Sequence, residues 1–210
     1  MSMLAQGHPY WHVRSVIEAQ RVGTVSMSYY SYQPQTVAES RTTWTISSAE
    51  FLQSASMERL MAATPEGHEL ALHSNVRMLD GEERHLVMID MSTGARAHLE
   101  KLRSFLGDHF FQQLAWFSSG RSFHGYGSEL LSKDDWVKFM GLLLLANKPR
   151  MEPTVDPRWI GHRLLGGYSA LRWTKNTTHY LTPPSRIDPQ RPVKASEFQV
   201  AALGKGLGSK

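Results

Sequence analysis

The stretch His85-Leu-Val-Met-Ile-Asp90 is the strand on which the predicted fold of this 210-residue chain depends. Its uninterrupted apolar run predicts a short buried strand that carries the carboxylate of Asp90 at its C-terminal end. A helical pattern over residues 93–106 follows, with leucines on one stripe. An acid between a buried strand and a helix is a common way to build a metal or phosphate site.

A second pattern lies further along, in Leu114-Ala-Trp-Phe-Ser-Ser-Gly-Arg-Ser-Phe-His-Gly-Tyr-Gly127. It predicts one strand, a glycine break and a second strand that carries Ser122 and His124. Because these two residues are two apart, a strand directs both side chains to the same face of its sheet. The structural alternative for His124 is a half-buried strand histidine that is hydrogen-bonded to the backbone.

A third element begins at Asp156 and continues through a basic, aromatic segment to Leu171-Arg-Trp-Thr-Lys175. Asp156 has two interpretations, a metal ligand or a helix N-cap, since Pro157 suits the first turn of a helix. Asp90 likewise has the alternative of a turn residue at a strand end. An acid, a Ser-x-His pair and a second acid followed by Arg and Lys together favour a site that handles nucleotides.

In order and spacing these residues resemble the archaeo-eukaryotic primase superfamily, the primase-polymerases, over roughly residues 84–180. That family has a strand-end Asp-x-Asp, a Ser-x-His, and a final Asp followed by a basic stretch. The most specific part of the resemblance is the glycine-flanked hairpin that contains the Ser-x-His. Where the family has its second Asp, this chain has Ser92, so it resembles a one-aspartate variant.

The resemblance implies a metal-dependent nucleotidyltransferase of the DNA primase or polymerase type, which uses nucleoside triphosphates on a nucleic-acid template in DNA replication or repair. Mg²⁺ or Mn²⁺ is the implied cofactor. Asp90 and Asp156 are the implied catalytic metal ligands, and the hydroxyl of Ser92 is a neutral additional ligand. The residues implied for nucleotide binding are Ser122, His124, Arg172 and Lys175.

Two other functions remain open from the residues. A catalytically impaired relative that binds nucleic acid or nucleotide is the first alternative, because a serine cannot replace the charge of the second Asp. A metal-dependent hydrolase of phosphodiesters is the second. Among the remaining side chains, Arg121 is a candidate phosphate contact. We expect solvated surface or backbone contacts for Lys148, Arg158 and Arg163, and either core packing or base stacking for Tyr126, Trp159 and Trp173.

Composition and charge limit the kinds of site and partner that are possible. The chain has no cysteine, which excludes disulfides and zinc–thiolate sites, and no apolar segment near the roughly eighteen residues of a membrane helix. We therefore expect a cytoplasmic protein with no membrane partner. The basic excess lies in residues 151–210, which favours a polyanionic partner. The resemblance implies that this partner is a nucleic acid, DNA rather than RNA, with a helicase or another protein as a further candidate partner.

The expected fold is α+β, with an antiparallel or mixed sheet backed by helices, and the resemblance implies an RNA-recognition-like core. Residues 1–80 are predicted to be a β-rich portion of the same domain or a small lobe, residues 81–186 the primase-polymerase-like core, and residues 187–210 a flexible basic tail. Residues 10–13 are expected to open a strand or form a terminal arm. A capping box at 47–50 predicts one helix to about residue 63.

Overall fold

The computed structural model describes residues 4–33, 36 and 40–189. Within them lie seven helices: α1 (Tyr10–Ala19), α2 (Ser48–Phe51), α3 (Ser54–Ala62), α4 (Arg96–Leu106), α5 (Asp108–Gln112), α6 (Lys133–Leu145) and α7 (Pro157–Gly166). The strands are β1 (Val22–Ser31), β2 (Ser40–Ser47), β3 (Glu69–Met78), β4 (Glu83–Asp90), β5 (Ala115–Ser118), β6 (Phe123–Leu131), β7 (Ala170–Arg172) and β8 (Ser185–Arg186).

The strands form one open sheet in the order β2-β1-β3-β4-β6-β5-β8, with β7 paired to β3, and every pairing is antiparallel. This arrangement confirms the predicted α+β class. The boundary placed at residue 80 falls in the hairpin between β3 and β4, where Asn75 pairs with His85. The division into domains remains a prediction.

Strand β4 is buried on both of its faces, which explains its uninterrupted apolar run. Leu86 and Met88 belong to a core shared with α1, α2 and α3. Val87 and Ile89 point the other way, into a second core shared with α4, α5, α6 and α7. A strand with helices on both faces has no polar side, so its sequence does not alternate.

Two local predictions differ from the structure, and one helix was not predicted. Residues 10–13 begin helix α1 rather than a strand or an arm, because Tyr10, Val13 and Ile17 recur at helical spacing and bury one face. The helix expected from 48 to about 63 is divided into α2 and α3, although Ser47 caps its start as predicted by accepting a hydrogen bond from the Glu50 N–H (3.1 Å). Helix α5 was not predicted.

Strand β7 takes the place of β4 beside one half of β3. Both β4 and β7 pair with the same edge of β3, β4 at residues 75–77 and β7 at residues 71–73. The Trp173 N–H donates to the Leu70 carbonyl (2.8 Å) and extends this pairing. The end of β4 that carries Asp90 is therefore separated from β3, and a space lined by polar side chains lies beside it.

Most of the tail predicted over residues 187–210, from residue 190 onward, lies outside the described part of the chain. Among the helices that the structure describes, none has both the length and the apolar character needed to cross a membrane.

The contact between β6 and β4 makes Gly127 a sensitive position. A Cβ atom there would lie 2.7 Å from the Cβ of Val87, and both residues lie in the irregularity of the β4–β6 pairing, between the Leu86–Leu130 and Met88–Tyr126 pairs. We expect Gly127→Ala to lower the free energy of unfolding by about 1–3 kcal/mol.

Gly141→Ala is the matched control. A Cβ there meets nothing within 4 Å, and alanine favours helix α6, so the free energy of unfolding should rise by about 0.5–1 kcal/mol. Urea denaturation measures both, and a Gly127→Ala protein as stable as wild type would contradict the close approach.

Candidate functional site

A cavity of about 420 Å³ lies beside the opened end of the sheet. Its walls come from the ends of β1, β4, β6 and β7, from α7, and from the segment that contains residues 179–180. Its volume lies in the range of small-molecule sites. It brings together most of the predicted site residues, namely Asp90, Ser92, Ser122, His124, Asp156 and Arg172. Lys175 is exposed and does not line this cavity.

The two acids are neighbours because the chain pairs across them. Met91 forms an antiparallel bridge with Val155, and the Asp156 N–H donates to the carbonyl of Asp90 (3.0 Å). Asp156 is also the N-cap of α7: its Oδ1 accepts hydrogen bonds from the N–H groups of Arg158 (2.8 Å) and Trp159 (3.1 Å). Both capping bonds use Oδ1, so Oδ2 remains outside them. The N-cap interpretation is confirmed and is compatible with a second role in the cavity.

Asp90 lies at the base of the cavity with 22% of its side chain exposed. Burial, reinforced by the charge of Asp156, raises the pKa of Asp90 to about 7, although Ser122, Arg172 and Arg163 favour its ionised form. A carboxyl group with this pKa binds a proton readily at neutral pH. A cation bound in place of that proton would likewise offset the free-energy cost of a negative charge that is buried beside Asp156.

The Ser-x-His pair lies against Asp90. Ser122 occupies the turn one residue before β6, and its Oγ donates to Asp90 Oδ1 (3.2 Å) while pairing with the Oγ of Ser119 (2.9 Å). His124 is the cross-strand partner of Asp90, with Nε2 at 3.7 Å from Oδ1, which is too long for a hydrogen bond. Both predicted side chains therefore line one cavity with the acid.

His124 is uncharged at physiological pH. Burial, followed by the positive charge of Arg172, lowers the pKa of His124 to about 3. Its Nδ1 is buried without a hydrogen-bond partner among the described residues. This histidine can therefore offer one neutral N–H to a phosphate oxygen but cannot supply a positive charge.

Ser92 lines the cavity in the position where the family has its second Asp. Its Oγ donates a hydrogen bond to the carbonyl of Pro153, and its N–H donates to the carbonyl of Thr154 (3.2 Å). The described residues contain no cluster of three or more His, Cys, Asp or Glu side chains that could hold a metal. The residues at the cavity that would hold a cation are Asp90 and Asp156, through their carboxylates, and Ser92, through its hydroxyl oxygen. This set fits Mg²⁺, which keeps water or substrate oxygens in its remaining positions.

Arg172 supports the cavity wall from within. Its side chain is buried, and its guanidinium donates to the carbonyls of Ser119 (2.7 Å), Thr182 (3.2 Å) and Thr174. The ring of Tyr180 lies over it, with 4.0 Å between the ring centroid and Cζ. Direct phosphate contact by this arginine remains a prediction, because carbonyl groups already engage most of its donors.

The cavity is rich in positive charge. Two acids, Asp90 and Asp156, face five arginines, which are Arg41, Arg121, Arg158, Arg163 and Arg172. The expectation that Arg163 is solvated surface is wrong: its side chain is only 2% exposed, while Leu165 is 79% exposed. Helix α7 buries the face that contains Ile160 and Arg163, so the basic residue faces inward.

Aromatic side chains divide between the core and the cavity. Tyr126 and Trp173 are buried and hydrogen-bonded to each other, with 3.2 Å between Nε1 and the hydroxyl, so core packing is correct for both and base stacking is wrong. Trp159 is half-buried and lines the cavity. Sequence reasoning missed four further residues at the cavity, which are Tyr30, Tyr32, His179 and Tyr180. No local motif marks them, because only the fold brings the end of β1 beside the segment after β7.

Comparison with known proteins identifies the family. A family model described as AEP-like, archaeo-eukaryotic primase 1D-like, matches residues 48–185, more than half of the chain. The chain therefore belongs to this primase-like family, which confirms the resemblance seen in its motifs.

The fold has a solved counterpart in a crystal structure of the primase RepB', with a TM-score of 0.51 and 14% sequence identity. The match covers 93% of this chain and 62% of that one, so this chain spans less than two thirds of that primase's length. At this identity the likeness concerns the fold alone. The comparison with curated proteins found no match.

Proposed function

We propose that this chain is a primase-polymerase-type nucleotidyltransferase that takes a nucleoside triphosphate, together with Mg²⁺ or Mn²⁺, into the cavity and acts on a nucleic-acid template, DNA in preference to RNA. One observation carries the proposal: Asp90, Asp156 and the hairpin of Ser122 and His124 come from separate parts of the chain and line one arginine-rich cavity. Membership of a primase-like family supports a nucleotide and a nucleic acid as ligands.

In this proposal each side chain has a defined part. A divalent cation held by Asp90 and Asp156 would supply charge neutralisation for the phosphates and for the group that leaves. Ser122 fixes the orientation of Asp90 by donating to its Oδ1. His124 donates a neutral N–H to a phosphate oxygen, and the exposed Arg121 and Arg158 attract the triphosphate to the cavity.

A second candidate function is supported by Ser92. A catalytically impaired relative would keep nucleotide or nucleic-acid binding but lack transfer, because two carboxylates hold a second cation less well than three. The hydrogen bond from Ser92 to Pro153 gives the serine a structural role that requires no metal. The two functions predict different results when the missing carboxylate is supplied.

We expect Ser92→Asp to raise Mn²⁺ affinity by about tenfold or more, which corresponds to about 1.4 kcal/mol, and to increase the rate of primer extension. The new carboxylate would lie beside Asp90 and Asp156, and in the absence of metal their mutual repulsion should lower the melting temperature. Ser92→Asn is the matched control, since it has nearly the same size without the charge.

Calorimetry with Mn²⁺ and extension of a labelled primer on a DNA template measure these effects. Faster extension by Ser92→Asp, but not by Ser92→Asn, is the result expected of the enzyme. Triphosphate binding by all three proteins with extension by none would overturn the proposed activity in favour of the binding protein.

A further inference from the structure

The segment after β7, residues 173–182, contains no helix or strand but is held in place by many hydrogen bonds. Glu69 is completely buried, and its carboxylate accepts hydrogen bonds from the hydroxyl of Thr174, from the N–H of Asn176 (2.9 Å to Oε1), and from both the N–H (2.7 Å) and the hydroxyl (2.8 Å) of Thr177. One buried carboxylate thus holds three of the four residues 174–177. Bonds of this charge-assisted kind are stronger than neutral ones.

Asn176 ties the same segment to a second part of the fold. Its Nδ2 donates to the carbonyls of Pro65 (2.9 Å) and His68 (3.1 Å), in the turn that precedes β3. The segment is therefore anchored on two sides immediately before it reaches the cavity. Side chains on such an anchored segment lose little conformational freedom when they bind a ligand.

This rigid segment presents two rings to the cavity. Tyr180 lies over the guanidinium of Arg172, and its hydroxyl contacts that of Tyr30 (3.0 Å). His179 stacks on Tyr32, the residue that follows β1, with 4.4 Å between ring centroids and an angle of 27° between planes. Tyr32 is 48% exposed. An exposed tyrosine ring is thus supported on one side by a ring that belongs to an anchored segment.

The neighbourhood of Tyr32 suits one part of a nucleotide. The arginines and the acid pair of the same cavity suit phosphates and a cation, whereas a flat, half-exposed aromatic ring suits a nucleobase. Burial lowers the pKa of His179, with further lowering by Arg121 and Arg172, so this ring is uncharged at physiological pH.

We propose that Tyr32, backed by His179, stacks on the base of the nucleoside triphosphate that binds in the cavity. This inference rests on the proposed function, since it assumes that the triphosphate occupies the cavity. Because every base has a π face, the platform should accept all four bases and should contribute affinity rather than base selection. Template pairing would then choose the nucleotide.

The test compares a ligand that has a base with one that lacks it. The affinities of ATP and of inorganic tripolyphosphate are measured by calorimetry at a fixed Mn²⁺ concentration, for wild type, Tyr32→Ala, Tyr32→Phe and the control Phe105→Ala. Phe105 is an exposed aromatic residue on α4 that does not line the cavity. We expect Tyr32→Ala to weaken ATP binding roughly 5- to 100-fold and to leave tripolyphosphate binding unchanged. Tyr32→Phe and Phe105→Ala should bind ATP as wild type does.

Three results would overturn the inference. ATP affinity that is unchanged in Tyr32→Ala excludes stacking, and a matched loss for ATP and tripolyphosphate assigns Tyr32 a structural role instead. Unchanged ATP affinity with weakened binding of a single-stranded oligonucleotide assigns the ring to the strand. Failure of the triphosphate site on which the proposed function depends is distinct: wild type would then bind neither ATP nor tripolyphosphate, whereas failure of this inference alone leaves tripolyphosphate bound and sensitive to His124→Ala.

Discussion

Asp90→Asn should abolish nucleotidyl transfer while it stabilises the cation-free protein. Asp90 is central to the candidate site, since it borders Asp156, accepts from Ser122 and pairs across strands with His124. An amide keeps the shape of the side chain but has no charge with which to bind a cation. We expect transfer to fall by more than about 100-fold, because loss of even indirect metal contacts costs 10- to 100-fold.

The stability change follows from the pKa of Asp90. Burial and Asp156 raise it from 3.8 to about 7 in the folded protein. A folded-state pKa above the unfolded one means that Asp90 holds its proton more tightly in the folded protein. The stabilisation that this proton provides is fully present below about pH 4 and is lost as the pH rises through 7. Ionised Asp90 therefore costs up to about 4 kcal/mol at pH 8, an upper bound because the group is partly exposed.

Thermal melting in the presence of a chelator measures this cost. Asp90→Asn should raise the melting temperature at pH 8 by about 5 °C or more, with a smaller effect at pH 5. Asp134→Asn, an exposed change on α6, is the control and should show no such pH dependence. An Asp90→Asn protein that melts below wild type at pH 8, or that retains normal transfer, would contradict this account of the carboxylate.

Arg172→Lys should destabilise the fold severely although it keeps the positive charge. The guanidinium joins three chain segments through the carbonyls of Ser119, Thr174 and Thr182 and also contacts the Tyr180 ring. A lysine ammonium lacks the planar fork that satisfies these groups together. The bonds to Ser119 and Thr174 are buried, and a buried carbonyl left without a donor costs about 1–3 kcal/mol, so we expect a loss of roughly 2–5 kcal/mol.

Urea denaturation of Arg172→Lys, with Arg158→Lys as the control, checks this expectation. Arg158 lines the same cavity but is exposed, so its replacement by lysine should change stability by less than about 0.5 kcal/mol. Equal stability of the two variants would show that Arg172 does not hold these three chain segments together.

The sequence was informative where burial and local chemistry coincide. The apolar run before Asp90 predicted a short buried strand, and one of the two interpretations of Asp156-Pro157 was the start of a helix, which is α7. Helix α1 was missed because the strand-forming residues Tyr10, Trp11 and Val13 outweighed their helical spacing. The inward position of Arg163 was missed because arginine is mostly exposed in proteins, whereas α7 buries the face that carries Ile160 and Arg163.

The aromatic part of the cavity could not be predicted from sequence. Tyr32 and His179 are separated by most of the chain, and they meet only because β7 pairs with β3 and carries the following segment back to the end of β1. The role of the buried Glu69 carboxylate could not be predicted from sequence either. Its partners follow β7, far along the chain, so nothing near residue 69 indicates that it fixes them.

Template-directed primer extension tests the central claim most directly. Wild-type protein is incubated with a labelled primer on a DNA template, all four nucleoside triphosphates, and Mg²⁺ or Mn²⁺, beside Asp90→Asn and His124→Ala. The proposed function predicts products that lengthen with wild type, only when the complementary nucleotide is present, and that are lost in both variants. Absence of extension by wild type with either metal, while triphosphate still binds, would contradict nucleotidyl transfer and leave a primase-like protein that only binds its nucleotide.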